Sequence, residues 1–293
     1  MCGVKSYVSG EHERSEQAKS GANWGDLRPR LLSAVVLIPI VAAAILIGHL
    51  AVSILIGGVI VVAYHEWSLM TNGGKLSRFS YFTMGMLAIS AVAYPIVGFW
   101  VSFGAFMATA IVTAVLSDRF GRLPIAGIAA GFLGFAGLCV LALRGHDDVG
   151  ILATVYLTVV IWLTDSGAFF AGRLFGGQKL APVISPSKTW SGAVGGLVIG
   201  TLGGTIVWGF GTSSPLFIGI LISAAISISA QGGDLAESAL KRHFVIKDSG
   251  DIIPGHGGIL DRIDSFTVGA VLLYFIGVAH FTSDRVAEGV LWW

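Results

Sequence analysis

Residues 150–171 read GILATVYLTVVIWLTDSGAFFA, an apolar run with a carboxylate, Asp165, set near its end. About 20 predominantly apolar residues cross the hydrocarbon of a bilayer as a helix. A carboxylate in such a run is costly and usually serves function. Working outward, the same two features recur. The chain has 293 residues, of which 54% are hydrophobic and 12% charged. A soluble domain carries about a quarter charged residues, so this much apolar surface calls for lipid as solvent. The 41 glycines fit, because membrane helices use glycine for close packing.

Nine spans are predicted, at about 31–48, 51–70, 80–95, 97–116, 124–143, 150–171, 192–210, 215–238 and 265–282. Spans three and four share a short turn near Pro95, and eight spans is the alternative. The basic residues sort by side. Arg144 and Arg285 fall on one face, and every other Lys and Arg falls in the N-terminal tail or in alternate loops on the opposite face. The positive-inside rule therefore predicts an all-α polytopic bundle of the bacterial inner membrane, with its N-terminus in the cytoplasm and its C-terminus outside. Residues 1–30 are polar, hold three glutamates and lack an apolar centre, which predicts a cytoplasmic tail and not a cleaved signal peptide. Residues 31–293 then form a transmembrane catalytic domain with cytoplasmic loops at 172–191 and 239–264. Cys2 and Cys139 offer no disulfide framework.

Glu66, Asp165, Asp234 and Glu237 lie in or at the ends of spans. On a helix continuing through Arg242, Asp234, Glu237 and Lys241 share one face, with Ser238 one turn after Asp234. The plain alternative is a structural Asp234–Lys241 ion pair. Glu66, in Tyr64-His65-Glu66-Trp67, reads most simply as part of an interfacial belt of aromatic and polar residues. Asp261 and Asp264 open the last span at a spacing of three, where one of them would serve as a helix cap. Carboxylates from two adjacent helix ends make an oxygen-rich site suited to Mg²⁺. Asp234 and Asp261 are the predicted ligands, with Asp264 as a further one.

Between these acidic clusters run Lys241-Arg242-His243, Lys247-Asp248 and Pro254-Gly255-His256-Gly257-Gly258. Cations and free backbone N–H groups of this kind suit phosphate oxygens. The other loop holds Arg173, then Ser185-Pro186-Ser187-Lys188-Thr189-Trp190-Ser191-Gly192. It is neither a Walker loop nor a dinucleotide-binding turn.

The stretch SALKRHFVIKDSGDIIPGHGGILDRID, residues 238–264, resembles the signature of the phosphatidate cytidylyltransferases (CDP-diacylglycerol synthases). Residues 165–192 and 233–238 look like further segments of that family. Two departures are clear: where the family usually reads SPKKTWEG, this chain has SPSKTWSG, with Ser187 for a lysine and Ser191 for a glutamate. The resemblance implies transfer of a cytidylyl group from CTP to phosphatidic acid, a divalent metal, and a homodimer in the membrane. Mg²⁺ is the expected metal, with Mn²⁺ or an added monovalent cation as alternatives, and no nucleic-acid partner is expected.

On that reading Lys241, Arg242 and Lys247 act with the three aspartates in catalysis. Asp165, Arg173, Ser185, Lys188, Thr189, Ser238, Asp248, His256 and Arg262 bind substrate. Two rivals stand beside it: a CTP-dependent polyprenol or phytol kinase, and an ion-coupled transporter using Asp165, Asp234 and Glu237 as its path. Transporters show paired repeats and broken helices at the midplane, and no repeat is evident here.

Overall fold

In hydrocarbon every backbone N–H and C=O must be satisfied within the protein, which leaves helices as the natural outcome for such a sequence. A computed structural model describes residues 27–119, 125–246, 249–250, 252 and 257–293. The helices are α1 (Leu27–Ile47), α2 (His49–Thr71), α3 (Arg78–Arg119), α4 (Ile125–Arg144), α5 (Asp148–Phe175), α6 (Trp190–Gly211), α7 (Leu216–His243), α8 (Leu260–His280) and the short α9 (Val286–Leu291). Seven of them, α2 to α8, are long and apolar enough to cross a membrane. In α1, the apolar stretch Val35–Ile47 is shorter.

The 42-residue α3 is not one rod. Gly98 breaks it at φ 77, ψ −178, a conformation open essentially to glycine alone. The Thr83 and Thr113 hydroxyls meet at 2.8 Å. In a straight helix they would stand about 45 Å apart. The chain therefore folds back on itself, three residues beyond the turn expected at Pro95.

Helices α5 and α6 are in close apposition through glycine. A Cβ on Gly200 would lie 2.1 Å from Thr164 Oγ1, and one on Gly195 would lie 2.2 Å from the Ala171 Cβ. Small residues at a helix interface let the backbones approach in this way. Buried hydroxyl pairs then tie α5 to α7: Thr164 donates to Ser227 Oγ at 2.8 Å, and Tyr156 meets Ser223 at 2.7 Å.

The loop predicted at 172–191 is ordered differently from a plain loop. Helix α5 runs on to Phe175, and an antiparallel hairpin follows, β1 (Lys179–Ala181) with β2 (Ser185–Thr189). Thr189 ends the hairpin and caps α6, its hydroxyl accepting from the Gly192 N–H at 3.1 Å. Of the predicted tail, residues 1–26 lie outside the described residues.

Replacing Gly200 with Val should force α5 and α6 apart and displace Thr164 from Ser227. The expected loss is about 1–3 kcal/mol, read as a lower midpoint of thermal unfolding in detergent. An unchanged midpoint would refute close glycine packing as a support of the bundle.

Candidate active site

Four element ends converge on one side of the bundle: the last turns of α5 and α7, the start of α8, and β2. They enclose a cavity of about 590 Å³. Asp165 and Arg173 reach it from α5, Lys188 and Thr189 from β2, Asp234 from α7, and Asp261, Arg262 and Asp264 from α8. The carboxylates of Asp165, Asp234 and Asp264 are close enough to interact electrostatically.

Burying like charges together is unfavourable unless cations and donors meet them. Two lysines do so. Lys188 forms an ion pair with Asp234. Lys241 Nζ sits between Glu237 Oε2 and Asp261 Oδ1, 2.7 Å from each. The second Asp261 oxygen accepts from the backbone N–H groups of Ser249 (3.1 Å) and Gly258 (3.3 Å). Asp264 Oδ1 accepts from the N–H of the next residue, Ser265, at 2.6 Å. Ser238 reaches back to Asp234 Oδ1 at 3.5 Å.

Helix α7 continues through Lys241 as its one-face spacing required, but the pairing differs from the simple expectation. Asp234 is met from the hairpin by Lys188, not by Lys241 seven residues on. The reason is reach: Lys241 lies one turn from Glu237 and directly opposite Asp261. The helix then closes abruptly. Val245 adopts φ 58, a left-handed conformation that a β-branched side chain rarely takes, while Ile246 N–H bonds the Lys241 carbonyl at 3.0 Å.

The donor set has the character of a magnesium site, all hard carboxylate oxygen. Magnesium takes only one or two protein carboxylates when phosphate and water complete its shell. Among the described residues, no three His, Cys, Asp or Glu side chains are gathered tightly enough to hold an ion by themselves. Lys188 and Lys241 stand where positive charge is needed, so the residues fit an ion that arrives with a nucleotide's phosphates.

The sequence profile of the Cytidylyltransferase family matches residues 28–280. The chain belongs to that family. A phosphatidate cytidylyltransferase of Brucella suis biovar 1 (strain 1330) is 34% identical over 262 residues, covering 88% of this chain and 96% of that protein. A second, of Bacillus subtilis (strain 168), is 44% identical over 163 residues, or 54% of this chain and 58% of that protein. A third, of Staphylococcus haemolyticus (strain JCSC1435), is 41% identical over 157 residues, or 53% and 59%.

Of the family's signature stretch, Asp261, Arg262 and Asp264 on α8 line the cavity, and Lys241 on the last turns of α7 stands behind them on Asp261. Not every predicted site residue faces the cavity. Ser185 is buried in the hairpin opposite Ala181, and Arg242 points outward with its Nε on the Ile184 carbonyl at 3.3 Å. Lys247, Asp248 and His256 lie outside the described residues. Of the two departures from the family pattern, Ser187 lines the cavity, while Ser191 donates to the Gly176 carbonyl and ties the start of α6 to the end of α5.

Sequence reasoning passed over Gln231, which lines the cavity and donates to the Ala193 carbonyl at 3.3 Å. It also undervalued Glu66, which is fully buried. Its position at the polar end of an apolar run was a signal, and the aromatic neighbours supplied too ready an explanation.

Lys241→Met leaves Glu237 and Asp261 facing each other without a cation. The expected cost is about 3 kcal/mol of stability, seen as a lowered unfolding midpoint. Adding Glu237→Gln should recover part of that stability but none of the turnover. Full stability in the single variant would contradict the bridging role of Lys241.

Proposed function

We propose that this chain transfers a cytidylyl group from CTP to phosphatidic acid, giving CDP-diacylglycerol and pyrophosphate. The observation that carries the proposal is the cavity itself. Four aspartates and the cations Lys188, Arg173 and Arg262 line it where the family signature meets the hairpin.

Both substrates are anionic, so the first task of the site is to offset their repulsion. A phosphatidate oxygen attacks the α-phosphorus of CTP, and the bond from that phosphorus to the bridging oxygen of the β-phosphate breaks. A phosphate monoester is already ionised near neutral pH, so no general base is needed. Lys188 and Lys241 exchange their carboxylate partners for phosphate oxygens, and Arg173 and Arg262 bear on the same charge. Positioning and preorganised electrostatics then supply most of the rate. Asp234 and Asp261, with Asp264 beside them, would hold Mg²⁺, or Mn²⁺ in its place, which neutralises charge developing on the phosphates. Lys247 and His256 belong to the same loop by sequence and are assigned to phosphate binding, and Asp248 to substrate binding.

The same reading assigns nine spans, with α3 counted as two and α1 as the first, in a bacterial inner membrane. The fold-back at Gly98 and the sorting of Lys and Arg support it. The N-terminus and the cavity then face the cytoplasm, where CTP is delivered from water and phosphatidic acid from the leaflet. A homodimer accords with the family resemblance.

Purified protein in detergent, given α-labelled CTP, phosphatidic acid and Mg²⁺, should move label into lipid, and EDTA should stop it. Asp261→Asn should lower that rate at least about 100-fold with the protein still inserted. If instead γ-label enters lipid and α-label stays in soluble CDP, the protein is a lipid kinase and the proposal fails.

Topology is open to thiol labelling in a Cys2→Ser background. On intact cells an impermeant reagent should modify His146→Cys and spare Lys75→Cys. The reverse pattern would invert the assigned orientation.

A further inference from the structure

Glu66 lies on α2, nearly two hundred residues before the start of α8, yet its carboxylate is built into the turn that precedes Asp261. One oxygen accepts from the Ile259 N–H at 3.0 Å. The other accepts from the Leu260 N–H at 2.8 Å and from the Ser249 hydroxyl at 3.4 Å. The side chain has no exposed surface (0%). The first N–H groups of a helix have no partner within it, and an anion there also meets the positive end of the helix dipole. Ile259, at the head of α8, has no side-chain cap of its own. Glu66 takes that place from another helix.

Two further features show the turn shaped around this carboxylate. A Cβ on Gly250 would lie 2.8 Å from Glu66 Oε1, and one on Gly258 would lie 2.8 Å from Glu66 Oε2. Both residues must be glycine for the turn to close on Glu66. The donors of the turn are also shared out. The Ser249 and Gly258 N–H groups go to Asp261, while the Ser249 hydroxyl and the next two N–H groups go to Glu66. Beside it, Trp67 packs edge-on against Phe244 at the end of α7, so this end of α2 touches both α7 and α8.

We propose that Glu66 is a positioning residue for the active site: it fixes the turn Gly258–Leu260, and through it sets where Asp261 stands relative to Lys241 and the cavity. The proposal rests on the assignment of Asp261 to the cytidylyl-transfer site. Glu66 itself does not line the cavity; it acts through the N–H groups of the turn and the Ser249 hydroxyl.

The test uses the full chain in detergent, with Glu66→Gln, Glu66→Asp and, as a control in buried hydrogen bonding elsewhere, Tyr156→Phe. Glutamine keeps the size of the side chain but turns a donor toward one of the two backbone N–H groups. In Glu66→Gln, kcat for cytidylyl transfer should fall about tenfold or more, with a smaller change in KM for CTP. Deuterium exchange of the 257–261 amides should quicken in the same variant, while α4 keeps its protection. Glu66→Asp, which keeps both acceptor oxygens, should fall between Glu66→Gln and the parent in both readouts. Tyr156→Phe should lower the unfolding midpoint without changing either. A folded Glu66→Gln variant with kcat within about twofold of the parent, or with unchanged exchange in the turn, overturns the proposal. Should Glu66→Gln fail to insert, Glu66→Asp decides by the same two criteria. If the parent itself transfers no label from CTP, the functional assignment fails, and exchange in the turn still decides whether Glu66 holds it.

Discussion

A carboxylate at the end of a membrane helix must be met by a cation or by backbone donors, and this protein places six of them within one neighbourhood. Everything distinctive about this end of the bundle answers that requirement. Lys188 has to arrive from a hairpin because no cation on α7 reaches Asp234. Lys241 has to sit on the last turns of α7 to stand between Glu237 and Asp261. The turn before α8 needs glycine at 250 and 258 because two carboxylates, Glu66 and Asp261, draw on its N–H groups at close quarters.

The same requirement links packing to chemistry. Glycines on α6 bring α5 against it, which places Asp165 and Arg173 beside the base of the hairpin. The Thr164–Ser227 hydroxyl bridge, one residue from Asp165, holds α7 in register with α5, so that Asp234 meets Asp165 across the cavity. On the proposed reaction, anionic phosphates enter a charge pattern in which lysines already meet the carboxylates, and the cations only change partners. Preorganisation of this kind lets electrostatics contribute to rate without reorganisation at the moment of reaction.

Much of this was legible in the sequence, and the parts that were not have a common cause. The apolar runs, the one-face spacing of Asp234, Glu237 and Lys241, and the Asp261–Asp264 pair depend on local periodicity, which a sequence displays directly. The fold-back in α3 was legible too, displaced by three residues because Gly98 and not Pro95 takes the reversing conformation. The Lys188–Asp234 pair, the outward turn of Arg242 and the reach of Glu66 to α8 depend on which helices are neighbours. Periodicity carries no information about that. The hairpin was hidden for another reason: its strands are three and five residues long, too short for alternation to register.

CTP is proposed to bind and react in the cavity between β2 and α8. A cryo-EM structure of the detergent-solubilised protein with CTP tests it most directly. The triphosphate should lie between β2 and the first turn of α8, within hydrogen-bond reach of Lys188, with Lys188 drawn away from Asp234. Nucleotide density elsewhere, for instance in the smaller polar cavity lined by Tyr64, Asn72 and Phe244, with Lys188 still paired to Asp234, would contradict it.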